Sequence, residues 1–133
     1  MGLTVELPWP DRDLSPNARV HFHALAAAKR QAKSIAHGLA LEAGARFLAL
    51  AKRPVVTWQF IPPDRRRRDL DNCIASCKAY ADGLAMALQV DDSVWEWRYP
   101  PMREPVKGGK VIVTIEDSVT CERYDDGYSD NAQ

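Results

Sequence analysis

The chain has 133 residues, 46% of them hydrophobic and 27% charged, with a formal net charge of zero. That length suits one ordinary domain, and no apolar run approaches the roughly 20 residues that span a bilayer. MGLTVELPWPDRD lacks the basic start and long apolar core of a secretory signal, and the three cysteines (Cys73, Cys77 and Cys121) form no disulfide framework, which reads as a reducing, cytoplasmic setting.

LTVEL, Leu3–Leu7, alternates and is bounded by Pro8 and Pro10, so it predicts a first strand. LSPNAR makes a turn into a helix expected from about Ala18 to Ala51, alanine-rich and free of proline, with Gly38 and Gly44 as possible breaks and Lys29, Arg30 and Lys33 at its middle. VVTWQFI, Val55–Ile61, has strand composition, with Val56, Trp58 and Phe60 on one face, and Pro62-Pro63 ends it. The arginine run then leads into a second helix, expected from Asp69 or Asp71 to Leu88. Its buried stripe is Ile74, Cys77, Ala81, Leu84 and Leu88, and Asp71, Lys78 and Asp82 lie on another face. A loop at Gln89–Asp92 precedes a strand over Val94–Tyr99, which places Trp95, Trp97 and Tyr99 on one side. KGGK, Lys107–Lys110, is a turn, and VIVTIE, Val111–Glu116, is the last strand. The order β-α-β-α-β-β predicts a single α+β domain over residues 1–117, a mixed sheet with two main helices. Residues 118–133 are expected to form an acidic, disordered tail.

Charge is unevenly spread. Residues 116–133 hold six acids and one base; the remainder holds 12 acids and 17 bases, a formal charge of +5. A basic body is the footprint of a phosphate-binding protein, and also occurs without that function. The sharpest local feature is RRRRDLDN, Arg65–Asn72. Asp69 and Asp71 stand at the start of the second helix, and Asp91 and Asp92 follow its end. Carboxylate oxygens suit a hard cation such as magnesium, and arginine forks suit phosphate. The same aspartates also suit a helix cap and a turn. Spacing leaves both readings open, because a helix of roughly 18 residues separates its ends by about 27 Å.

IPPDRRRRDLDN, followed by a helix containing Lys78 and ending in ADGLAMALQVDDS, resembles the RusA family of phage and prophage Holliday-junction resolvases. LSPNARVH adds to the likeness, which covers roughly residues 3–116. The resemblance implies a RusA-like fold and a homodimer that cuts four-way DNA junctions by paired symmetric nicks in recombination and repair, with magnesium, or manganese as substitute. By motif position it implies Asp69, Asp71, Asp91 and Asp92 as metal ligands, and Asp69, Asp71, Asp92 and Lys78 as the catalytic set. Many members carry the functional lysine where this chain has Ala75 or Ser76; Lys78 lies about one turn later, on roughly the same helix face. Arg65, Arg66, Arg67 and Arg68, with Lys107 and Lys110 at the KGGK turn, are the expected DNA contacts, and Lys29, Arg30 and Lys33 extend the basic surface. A junction has approximate two-fold symmetry, so a two-fold dimer presents one site to each of two opposed strands. The alternative is a non-catalytic branched-DNA-binding protein of the same fold. Cys73 and Cys77 lack the partners of a zinc site and read as core, and KGGK lacks the spacing of a P-loop.

Overall fold

A computed structural model describes residues 2–48, 50 and 53–117. Alternation builds the sheet. β1, Gly2–Pro8, buries Leu3, Val5 and Leu7 and exposes the residues between them. β4, Lys110–Asp117, buries Val111, Val113 and Ile115 with half-buried residues between them, and pairs antiparallel with β1 on one side and with β2, Pro54–Ile61, on the other. β3 is only Glu96–Arg98 and lies parallel to β2, giving the order β1-β4-β2-β3 and a mixed sheet, as expected. The register aligns three cross-strand rows: Leu3–Ile115–Val56, Val5–Val113–Trp58 and Leu7–Val111–Phe60. All nine side chains are buried in one core with Ala32, Ala36, Ala40, Ala81 and Leu84 of the helices. Such paired β-branched and aromatic residues are the unit of sheet stabilisation.

α1, Phe22–Glu42, presents Ala32, Ala36 and Ala40 at four-residue spacing. α3, Lys78–Leu88, packs against it. Small residues let the backbones approach, and the closest point is Gly83. A Cβ there would sit 2.2 Å from the Lys33 carbonyl oxygen and 3.0 Å from the Ala36 Cβ. Tyr80 ties α3 to the end of β1 by donating its hydroxyl to the Pro8 carbonyl at 2.9 Å. Cys73 and Cys77 are free and buried, as core residues should be.

Expected boundaries move in three elements. The first helix stops at Glu42, because Gly44 turns left-handed at φ 101° and Ala45–Phe47 closes a single 3-10 turn. The second helix is two pieces, α2 at Leu70–Ser76 and α3, broken at Cys77. There the Ser76 hydroxyl donates to the Asn72 carbonyl at 2.8 Å, and the Cys77 amide bonds Ile74, a tightened turn. The expected strand at 94–99 shrinks to three residues because Asp92–Val94 forms a 3-10 turn instead. The acidic tail lies outside the described residues. Among the described residues no helix is long and apolar enough to cross a membrane.

Candidate nucleic-acid interface and its carboxylates

β1 and β2 run in the same direction, each antiparallel to β4, so Pro8, Ile61 and Lys110 end at one edge of the sheet. The arginine loop leaves from that edge. Asp64 organises it: its carboxylate accepts the Arg66 amide at 2.9 Å and pairs with Arg68 at 2.9 Å. Arg68 also donates to the carbonyls of Asp64 and Arg66, and its guanidinium lies 5.5 Å from the centre of the Trp9 ring. Its side chain is only 18% exposed, so it acts as the strut of the loop. Arg66 pairs with Asp64, and Arg65 with Glu104 at 2.8 Å. Among the described residues the Arg67 side chain has no such partner, which leaves it the most available of the four for a phosphate.

The Arg66 amide, then the Arg68 side chain, hold the Asp64 carboxyl below its ordinary value of 3.8. Because the folded-state value is depressed, the loop's anchor is complete above the ordinary carboxylate range and is lost as pH falls through the lower, folded value. Acid titration should therefore release Arg68 from Trp9 before the core melts. The check is the Trp9 indole NMR signal, assigned by Trp9→Phe; in Asp64→Asn the released position should already be present at neutral pH.

The acids divide by role. Asp69 is the N-cap residue of α2, yet its side chain makes no cap hydrogen bond, and Asp71 is exposed in the first turn. Asp91 does take a local structural role. It caps the following 3-10 turn by accepting from the Ser93 hydroxyl and then its amide, bonds that lower its pKa. Asp92 points elsewhere: its Oδ2 lies 2.6 Å from Lys78 Nζ, which also meets Asp82 Oδ1 at 2.9 Å. The hydrogen bonds to Asp92, then Asp82, raise the pKa of Lys78, so it is a fixed cation at neutral pH.

The return of Asp92 to Lys78 resolves part of the distance problem. α3 is only 11 residues long, Gln89 reverses the chain at φ 60°, and two tryptophans pin the return. Trp95 Nε1 donates to the Val90 carbonyl and Trp97 Nε1 to the Asp92 carbonyl, each at 3.2 Å, while Trp97 stacks on buried Trp58 with ring centres 5.8 Å apart. The aromatic strand thus positions an acid. Asp69 and Asp71 are not joined to Asp92 in the same way. Among the described residues no three His, Cys, Asp or Glu side chains gather as a group that would hold a metal. The donor chemistry still fits magnesium, which takes one or two protein carboxylates and fills its other positions with water and substrate phosphate.

Two adjoining grooves carry Asp69, Lys78 and Asp82 among basic side chains, and Asp71, Asp91 and Asp92 line neither of the two. One, of about 470 Å³, is lined by Trp9, Arg12, Arg66, Arg67, Arg68 and Asp69, among others. The other, of about 420 Å³, is lined by Lys29, Arg30, Lys33, Lys78 and Asp82. Ser15 and Ser76 line both, so the basic surface is continuous from the arginine loop to α1. Lys107 and Lys110 line a separate recess, where Lys110 pairs with Glu6 at 3.5 Å. Arg12 has no local sequence signal of a role and reaches the groove only through the tertiary fold. Asp82 was legible solely as an i,i+4 partner of Lys78, and Trp97 as an aromatic without an anchor.

No family model matches the chain. It is 40% identical over 115 residues, covering 84% of its length and 74% of the relative's, to an uncharacterized protein of Xylella fastidiosa strain Temecula1. The chain belongs to the same family as that Xylella fastidiosa protein.

Proposed function

We propose that this protein is a magnesium-dependent, structure-selective endodeoxyribonuclease that resolves Holliday junctions by paired nicks, working as a homodimer in the cytoplasm. The observation that carries the reading is Lys78 held between Asp82 and Asp92 on a groove continuous with the arginine loop and Asp69. A protein that only bound DNA would gain nothing from keeping carboxylates beside its phosphate-binding surface. The motif resemblance supplies the junction as substrate.

One or two of Asp69, Asp71 and Asp92 would hold the metal, with water and substrate phosphate completing its shell, and Asp91 would support Asp92 by capping the turn that Asp92 begins. Magnesium, when bound, supplies a hydroxide nucleophile at neutral pH and stabilises the leaving oxygen. Lys78 places a positive charge where negative charge builds on the phosphate in the transition state. Arg67 and Arg66 bind flanking phosphates, and Arg68 keeps their loop in shape. Trp97 holds the Asp92 backbone in register with Lys78.

The test is to map the nicks that the wild-type protein makes in a labelled four-way junction and in a linear duplex of the same sequence, with magnesium or with EDTA. Symmetric nicks in the junction alone, dependent on magnesium, are expected. Cutting of both substrates equally would remove junction selectivity, and no cutting in magnesium or manganese would remove the nuclease reading.

A further inference from the structure

Cations on this surface differ in what they already hold. Arg65, Arg66, Arg68, Lys78 and Lys110 each face an acid. Lys29, Arg30 and Lys33, on the groove side of α1, have side chains with no hydrogen-bond or ion-pair partner among the described residues. Three unneutralised charges within five positions repel one another, and an anion relieves that cost. Below them the groove is lined by Leu14, Val20, Leu25, Ala75 and Ala79, with two acids at its walls, Asp13 and the Lys78-paired Asp82.

A second feature stands at the start of α1, about two turns before Lys29. Phe22, at the helix start, is 67% exposed. Its ring centre is 4.9 Å from that of His21 and 4.0 Å from that of His23, and both histidines are exposed. In sequence Phe22 falls between Val20 and Leu25, two residues of the groove lining. A duplex keeps its base faces stacked and offers only backbone and base edges, whereas an unpaired strand presents phosphates and open base faces. A positive groove beside an exposed aromatic face is the combination that single strands use.

We infer that the α1 groove binds an unpaired nucleic-acid strand, its phosphates on Lys29, Arg30 and Lys33 and one base stacked on Phe22. The inference rests on the branched-DNA reading for the origin of the strand, since bases open at a branch point. It assigns α1 the task of recognising the opened centre, and the arginine loop and carboxylates that of contacting the backbone to be cut.

The experiment uses the full chain and fluorescence anisotropy with a short labelled oligo(dT) and a labelled linear duplex across a salt series. Three proteins are compared: wild type, Phe22→Ala, and the triple variant Lys29→Ala/Arg30→Ala/Lys33→Ala. All four positions are on the surface, so unchanged melting curves should accompany the binding data. Phe22→Ala should weaken oligo(dT) binding roughly tenfold to hundredfold, as expected for losing a stacked base, and leave duplex binding alone. The triple variant should flatten the plot of log affinity for oligo(dT) against log salt by about 2, from three lost single-strand phosphate contacts. Wild type without affinity for oligo(dT), Phe22→Ala equal to wild type, or a triple variant with an unchanged salt slope would each overturn the inference. Junction cutting is scored separately. Cutting without these binding effects keeps the nuclease reading and rejects the α1 site, and the binding effects without cutting do the reverse.

Discussion

Gly83→Ala should destabilise the protein by about 3 kcal/mol or more, at the upper end of overpacking. In an isolated helix the same change gains about 1 kcal/mol, because glycine is the poorer helix former. Here the new methyl would stand 2.2 Å from the Lys33 carbonyl oxygen, and what must give way is helix backbone. α1 would have to lift away from α3, reopening the close approach at Lys33, Ala36 and His37. Gly38→Ala is the matched control: Gly38 lies within α1 and a Cβ there meets nothing within 4 Å, so it should gain roughly 0.5–1 kcal/mol. Thermal unfolding followed by circular dichroism reads both. A Gly83→Ala protein as stable as wild type would mean that the two helices do not meet at that point. The consequence reaches the site, because α1 carries Lys33 and α3 carries Lys78.

Lys78→Ala should lower the rate of junction cutting by roughly 10²–10³, the cost of removing one preorganised charge from a transition state. Junction affinity should change only a few-fold. As a purely structural residue Lys78 would matter little: its side chain is 61% exposed, and exposed pairs contribute about 0.2–1 kcal/mol. The bonds to Asp92 and Asp82 keep it protonated at neutral pH, so it serves as a cation rather than a general base. Lys78→Arg, which keeps the charge, should retain part of the rate. The measurement is a single-turnover rate beside a melting curve: a loss of rate that tracked a loss of stability would return Lys78 to the helix-face role.

Much of the fold was legible because its strands follow the simplest rule. β1 and β4 alternate strictly, and β2 is apolar and ended by two prolines, so their limits moved by no more than a residue or two. Helix ends were harder. Alanine-rich sequence beyond Glu42 has helical propensity, but Gly44 leaves the helical region; at Cys77 nothing in composition announces a break that depends on a serine hydroxyl competing for a backbone carbonyl. The site was legible in its residue types and only partly in its geometry. Asp92 meeting Lys78 depends on Gln89 adopting a left-handed turn and on two indole N–H groups reaching back, none of which has a local sequence signature. The arginine run read as four equivalent charges; folding makes them unequal, with Arg68 a strut, Arg65 and Arg66 paired, and Arg67 unpaired among the described residues.

The most direct test of the central claim compares wild type with Asp71→Asn on a labelled four-way junction in magnesium, reading binding and cutting from the same samples. Asp71 is exposed, so the substitution should leave the fold intact. If these acids hold a catalytic metal against the DNA, Asp71→Asn will bind the junction as tightly as wild type or more tightly, because a negative charge near the phosphates is gone, and will make no nicks. If wild type and Asp71→Asn bind alike and neither cuts, the protein is a branched-DNA binder; if both cut alike, Asp71 has no part in the chemistry and the assignment of the carboxylates fails.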